Sequence, residues 1–238
     1  MEYVQRWDDV LFLHWRVDAG ELQSRVPAAL EVDTFDGSAW ISAVIFRLRS
    51  RVRGMPHFPF VSSMTEVNLR TYVRCGGAPG IWLLSVRADH RIAARIARWL
   101  TPMPYTYCPL RYASVEHGFE YRDPEASLAF RPTGSEAAAP EGSFDAWLLE
   151  RYRLFAQAKS APMKDAVVVH EPWAVRAVEF AAWKGNFGGG VGMDLRRPPD
   201  AAHFSTGVGA TFGKFERLSI SEALAPVASQ IPVPLLRS

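Results

Sequence analysis

The sequence predicts one α+β domain with a large, mainly antiparallel sheet or barrel and a few flanking helices. Runs with period-two alternation and many β-branched residues recur along the chain, whereas only about three segments have helical spacing. No repeat, low-complexity tract or charged linker divides the 238 residues into separate domains. Strands and helices do not alternate throughout, as a doubly wound parallel fold would require.

The first half of the chain predicts several strands and one short helix. Asp18 and Glu21 have the spacing of a capping box, and Pro27 stops the helix that follows. Residues 31–37 are turn material. A Gly- and Pro-rich connection makes the last two strand candidates of this half an antiparallel hairpin. The strand candidates are residues 10–17, 39–50, 65–74 and 80–88.

The second half predicts two longer helices and further strands. Asp89 is a candidate cap for a helix that Pro102 ends, and Ser143 opens a helix over 144–158. Residues 219–238 predict an irregular tail within a single domain of residues 1–238. The apolar face of the first helix comprises Ile92, Ile96, Ala97 and Leu100. The strand candidates are residues 104–118, 120–123, 127–131, 165–173, 175–183 and 203–212.

Composition and charge exclude several classes of protein. The net charge of +2 provides no electrostatic basis for binding nucleic acid or an anionic membrane. No apolar run approaches the roughly 20 residues that span a bilayer, and the N-terminus lacks a signal pattern. Cys75 and Cys108 are too few for a disulfide scaffold. We therefore expect a cytoplasmic protein whose partner is a small molecule, and homo-oligomerisation stays open.

Alternating arginines end the strand candidate 39–50. Arg47, Arg49, Arg51 and Arg53 are compatible with a basic groove, but an exposed strand edge protected by charge is the simpler interpretation. The Gly-rich segment 185–192 lacks the Lys-Ser/Thr ending and following helix of a phosphate loop, so it predicts a flexible loop. The histidines have no local metal-binding spacing. We expect no cofactor and no metal.

The stretch TEVNLRTYVR, residues 65–74, is a strand candidate with an unusual polar side. Glu66, Asn68 and Arg70 share one parity, and Val67 and Leu69 take the other. Glu66 and Arg70 lie about 13–14 Å apart along such a strand, so they cannot easily pair directly. An antiparallel strand often has one solvated face, and the pattern alone therefore favours water over a pocket.

Several segments together resemble the acetoacetate decarboxylase-like superfamily, and more specifically its YqjF-like branch. They cover most of residues 5 to 215. HWRVDAGELQSRVPAALEVDTFDG and TEVNLRTYV are the most specific of them. The others are WDDVLFLHW, LTPMPY, LLERYRL, HEPW and HFSTGV.

The resemblance implies a closed or nearly closed antiparallel barrel around a cavity. It also implies that residues 65–74 line that cavity, with Thr65-Glu66 at the position of the decarboxylase's pocket glutamate. The decarboxylase carries two adjacent lysines, one of which forms a Schiff base with a β-keto acid. The matching segment here is Pro104-Tyr105-Thr106, so both lysines are missing. We therefore expect no Schiff-base decarboxylation of acetoacetate.

These expectations define a candidate site for a small polar organic ligand, such as a carboxylate. Glu66 is the candidate acid–base group, Arg70 the candidate carboxylate anchor and Tyr105 the candidate proton donor. Two alternatives stay open, namely an enzyme of lyase or hydrolase type that uses Glu66, and a non-catalytic carrier or sensor. The candidate ligand-binding residues are Asn68, Arg16, Tyr107, His203 and Trp173.

Overall fold

The computed structural model describes residues 3–52, 63–158 and 161–218. Within these ranges the chain forms fifteen strands, three α-helices and one 3₁₀ turn at Gly189–Val191. The helices are α1 Ala19–Gln23, α2 Arg91–Leu100 and α3 Phe144–Leu149. The strands are β1 Tyr3–Val17, β2 Glu31–Val32, β3 Thr34–Phe35, β4 Ser38–Val52, β5 Ser63–Cys75, β6 Ala78–Ala88, β7 Tyr105–Tyr107, β8 Arg111–Val115, β9 Gly118–Arg122, β10 Ala126–Ala138, β11 Arg153–Ala156, β12 Lys164–His170, β13 Ala174–Gly185, β14 Ala201–Phe212 and β15 Glu216–Arg217.

Seven of the strands pair in a closed ring. The order β12-β11-β6-β5-β4-β1-β14 returns to its start through antiparallel pairing of β12 with β14. All pairings in the ring are antiparallel except that of β6 with β11. The α+β class with a mainly antiparallel sheet is therefore confirmed. None of the helices in the described ranges is long and apolar enough to cross a membrane.

Alternation along the ring strands separates two cores. Odd-numbered residues such as Leu11, Ile45 and Val67 pack outside the ring against Tyr121 and Phe130 of β9 and β10. Even-numbered residues of β1, β4 and β5 face the inside of the ring. Inside the ring the apolar residues form two adjacent clusters, which also contain Trp7, Trp173, Val168 and Phe212. The strand period of two therefore decides which side chains enter the ring.

Helix boundaries depart from the sequence predictions in two places. The cap of α2 is His90, whose Nδ1 accepts a hydrogen bond from Ala93 N, while Asp89 accepts one from Thr65 N. The Asp89 carboxylate thus binds the backbone of β5, which lies beside it, and does not cap α2. The helix predicted over 144–158 ends at Leu149, because residues 153–156 instead pair with β6 and β12. Tertiary pairing overrides local helical spacing there.

The predicted strand edge at the arginines of β4 is wrong. β4 lies between β1 and β5, so it is an internal strand. The side chains of Arg47 and Arg49 are nevertheless partly exposed, and they pair with Asp9 and Asp8 of the neighbouring strand β1. Arg53, the loop at 55–60 and the tail at 219–238 lie outside the described residues.

The predicted apolar face of α2 is not buried. Ile92, Ile96 and Leu100 are 61%, 41% and 50% exposed, whereas Ala93 and Ala94 are the buried residues of the helix. The small alanine side chains let α2 lie close to the ring, and the large apolar residues remain at the surface.

Candidate functional site inside the strand ring

The polar side of β5 faces the ring interior. Glu66 lies opposite Phe46 of β4 and Ala88 of β6, and Arg70 lies opposite Ser42 and Leu83. Both side chains are buried and have no charged cross-strand neighbour. Val67 and Leu69 pack in the outer core, as the alternation predicts. The interpretation that this side faces water is therefore wrong, because ring closure covers it.

Glu66 forms one specific contact, with Tyr105. The Tyr105 hydroxyl donates a hydrogen bond of 2.9 Å to Glu66 Oε2. Burial raises the pKa of Glu66 to about 7, against the opposing effects of Tyr105 and the Asn68 amide. Burial and the Glu66 charge raise the pKa of Tyr105 well above its ordinary value. The pair thus holds a proton that can leave the carboxyl group near neutral pH.

Arg70 is a buried cation with unused donors. Its Nε and Nη2 atoms are buried and have no hydrogen-bond partner among the described residues. No carboxylate of those residues lies within 4.0 Å of the guanidinium, whose carbon lies 5.8 Å from the ring centroid of Phe12. Burial lowers the pKa of Arg70, and Tyr72 partly opposes this.

Beside Arg70 lies a small hydrogen-bonded cluster of His14, Ser42 and Tyr72. Ser42 Oγ is 2.6 Å from both His14 Nδ1 and the Tyr72 hydroxyl, and Tyr72 donates to the Leu148 carbonyl. Burial, followed by the charges of His203 and Arg70, holds the pKa of His14 well below its ordinary value. His14 is therefore neutral, and its buried Nε2 has no partner among the described residues.

His203 and Trp173 complete this end of the ring. The His203 ring lies 5.4 Å from that of His14, and its Nε2 is 3.2 Å from Asp145 Oδ1. Burial lowers the pKa of His203, and Asp145 opposes the shift. Trp173 contacts Phe12 edge-on at 4.9 Å between ring centroids. Asn68 lies between the two ends, and its Oδ1 is buried without a partner in the described ranges.

Two sequence candidates lie elsewhere. Arg16 is exposed and covers the Trp40 ring, with 5.5 Å from its guanidinium carbon to the ring centroid. Tyr107 is exposed under the Arg91 guanidinium and lines a separate depression. Tyr105 and Tyr107 share a parity, but the structure does not place them on one cavity wall. The neighbouring strands cover the first phenol only.

A cavity of about 520 Å³ opens beside Tyr105. It lies where β1, β4 and β5 meet α2 and the connection from β14 to β15. Lys164 and Lys214 line it as well, although 50 residues of chain separate them. Both lysines lie far from Tyr105 in sequence, and the fold brings them to the same cavity.

Comparison with known proteins places this chain within a family. The family model DUF2071, described as an uncharacterized conserved protein, matches residues 4–209. The chain belongs to the DUF2071 family. Uncharacterized protein YqjF of Bacillus subtilis (strain 168) is 39% identical over 183 residues, which cover 74% of this chain and 75% of that protein. The YqjF-like assignment made from sequence is thereby confirmed.

The DUF2071 chain shares its fold with solved acetoacetate decarboxylase-like structures. An acetoacetate decarboxylase-like enzyme from Sphingomonas wittichii RW1 matches with a TM-score of 0.65 and 15% identity, over 92% of this chain and 93% of that one. The enduracididine biosynthesis enzyme MppR complexed with pyruvate matches with 0.64 and 14%, over 93% and 91%. An acetoacetate decarboxylase matches with 0.62 and 12%, over 90% and 87%. At these identities the likeness shows the fold.

Sequence reasoning missed the partners that surround Arg70 in this DUF2071 chain. The sequence leaves His14 open between a core or rim histidine and a ligand-pocket residue, and it does not single out Ser42 or Tyr72. The available signal was parity, because Tyr72 continues the series Glu66, Asn68, Arg70 on β5. No signal in the sequence connects Ser42 to that series, because the β4–β5 register is a property of the sheet.

Proposed function

We propose that the interior of the strand ring binds a small organic acid through Arg70, and that Glu66 exchanges a proton with the far end of such an acid when its chain is long enough to reach between the two side chains. The observation that carries the proposal is the pair of buried, unpartnered donors on Arg70. A guanidinium keeps its charge in proteins, and a buried charged donor without a partner is costly. A carboxylate of a ligand would satisfy both donors at once.

The geometry of the free donors supports a carboxylate in particular. Nε and Nη2 form one edge of the guanidinium, which suits planar oxyanions. The same edge binds carboxylates elsewhere in this protein: Arg131 donates from Nε and Nη2 to Glu179, and Arg49 does so to Asp8. At Arg70 no protein acid occupies that edge. The MppR structure complexed with pyruvate supports a short carboxylate as the first probe.

An acid–base role is favoured over that of a passive carrier. The unpartnered Asn68 Oδ1, His14 Nε2 and Arg70 edge indicate a ligand site, which a carrier and an enzyme both require. The Glu66 pKa of about 7 suits proton transfer near neutral pH. Tyr105, which holds Glu66, also lines the cavity of about 520 Å³. Glu66 thus lies one hydrogen bond from a cavity wall.

The binding step is tested by calorimetric titration with pyruvate, with pyruvamide as its neutral analogue. The protein should bind pyruvate and not pyruvamide, and Arg70→Met should weaken pyruvate binding about 100-fold, the loss typical of a charged hydrogen-bonded pair. Arg131→Met is the matched control, because it removes the same pair of guanidinium donors from an exposed arginine. The affinity of this variant for pyruvate should equal that of the parent. Equal affinities for Arg70→Met and the parent would overturn the proposal.

The acid–base step has a separate readout. Loss of the C5 methyl proton signal of levulinate in D₂O, followed by NMR, reports proton abstraction next to a carbonyl that lies farther from the carboxylate than that of pyruvate. The parent should accelerate this exchange over buffer, and Glu66→Gln should abolish the acceleration while keeping levulinate affinity. A parent that binds levulinate without accelerating exchange would support the carrier and refute the acid–base role.

A further inference from the structure

We propose that the cavity between α2 and the end of the strand ring is a second binding site, for an aliphatic organic acid. This second site is distinct from the proposed carboxylate site at Arg70, because Arg70 does not line the cavity. Its volume of about 520 Å³ lies within the usual range for small-molecule pockets. The inference concerns a ligand with a chain and an acidic head, and it goes beyond the short acid proposed for the ring interior.

The walls of the cavity are suited to an aliphatic chain. They are formed by large apolar side chains from three strands, from α2 and from two connections, and α2 contributes residues that are otherwise unpartnered. Ile96 and Leu100 are 41% and 50% exposed in the described structure. Exposed apolar residues scattered singly are ordinary, whereas a contiguous group around a concavity marks a binding surface. The large apolar wall residues are Leu48, Met64, Ile96, Leu100, Met103, Phe212 and Phe215.

The charges around the cavity have one sign. Lys164 and Lys214 are its charged lining residues, and no Asp or Glu of the described chain lines it. No carboxylate in those ranges lies within 4.0 Å of either ammonium group. Lys164 is half-buried and Lys214 is exposed. Two unpaired cations above an apolar wall select an anionic head over a neutral or cationic one.

Two polar groups of the cavity lining already have partners within the protein. The Tyr105 hydroxyl is already used by Glu66, and Thr101 Oγ1 donates to the Ala97 carbonyl. The acidic head is therefore expected at the lysines and the chain against α2. An acid held this way is oriented by charge at one end and by apolar contact along its length.

The test uses decanoate as the probe and calorimetry on the full chain. Decanoate should bind at one site, whereas decyltrimethylammonium, which has the same chain and the opposite charge, and butyrate, which has the same head and a short chain, should bind about tenfold more weakly or worse. Affinity for decyltrimethylammonium equal to that for decanoate would overturn the selection by charge.

Matched variants locate the site on α2. Ile96→Glu places a negative charge in the cavity wall and should weaken decanoate about tenfold or more. Ile92→Glu adds the same charge one turn earlier, at a more exposed residue that does not line the cavity, and should leave affinity unchanged. Equal effects of the two variants would overturn the proposed location.

The lysines are tested in the same way. Lys164→Met with Lys214→Met should weaken decanoate about tenfold and leave binding of decanol, the uncharged analogue, unchanged. Lys184→Met, at an exposed residue outside the cavity, is the control. A double variant that binds decanoate as well as the parent would overturn the assigned role.

Two further outcomes distinguish the cavity site from the proposed Arg70 site and from an interface between two copies of the chain. Arg70→Met should keep decanoate affinity, and Ile96→Glu should keep pyruvate affinity, so either site can fail alone. Absence of decanoate binding overturns the proposal. If the protein is then a dimer in sedimentation that Ile96→Glu dissociates and Ile92→Glu does not, the apolar face is instead an interface between two copies of the chain.

Discussion

The two ends of β5 show how differently an acid and a base behave when the same strand buries them. Glu66 has Tyr105 as a partner and can keep its proton, which removes its charge from the ring interior. Arg70 lies four residues further along β5, on the same face. It stays charged, and two of its donors have no partner in the described structure. A buried acid can thus be satisfied by the protein alone, whereas the buried base requires a partner from elsewhere.

The largest expected effect concerns the acid end. Between pH 4.5 and about 7 the folded protein holds a proton on Glu66 that the unfolded chain has released. Stability therefore falls as pH rises through this window, by about 3 kcal/mol in total. Glu66→Gln removes the titrating group and should be about 3 kcal/mol more stable than the parent at pH 8.

Urea unfolding of both proteins at pH 4 and at pH 8 measures this difference. The gain from Glu66→Gln should be nearly absent at pH 4, where the carboxyl is protonated in both states. A stability difference that is the same at both pH values would mean that Glu66 titrates normally, and the contrast between the two ends of β5 would disappear.

The next effect concerns the base end. Arg70→Met replaces a buried charge that has two unpartnered donors by an apolar side chain of similar length, which should stabilise the protein by about 1–2 kcal/mol. The loss of the contact with the Phe12 ring offsets part of a larger gain. Arg131→Met, whose parent residue is exposed and paired with Glu179, should change stability by less than about 0.5 kcal/mol. A marked loss of stability in Arg70→Met would show that the protein itself satisfies this cation.

The smallest expected effect concerns the hydrogen bond between Tyr105 and Glu66 at the acid end of β5. Tyr105→Phe removes the hydrogen bond that favours the charged carboxylate, so the pKa of Glu66 should rise further. Stability at pH 8 should fall by about 1–2 kcal/mol, and by less at pH 5, because a hydrogen bond to a neutral carboxyl is weaker. Carboxyl ¹³C NMR gives the pKa. Tyr107→Phe, on the same strand but exposed, is the control and should leave the Glu66 pKa unchanged.

Local sequence determined those features that depend on a few neighbouring residues. Period two along β5 placed Glu66, Asn68 and Arg70 on one side and Val67 and Leu69 on the other, and the structure keeps that division. Asp18 caps α1 through a hydrogen bond from Glu21 N, as the capping-box spacing predicts. The motif resemblance also identified the family and the fold. Each of these features is encoded within one strand, one turn or one recognisable segment.

Tertiary structure decided everything that depends on distant segments meeting. Pairing of β12 with β14 closes the ring, and only closure turns the polar side of β5 away from water. The β4–β5 register places Ser42 beside Arg70, and α2 rests on its alanines and leaves Ile96 and Leu100 exposed. Lys164 and Lys214 meet at one cavity for the same reason. Strand register, ring closure and helix docking are set by the sum of many weak contacts across the chain, and no local pattern contains that sum.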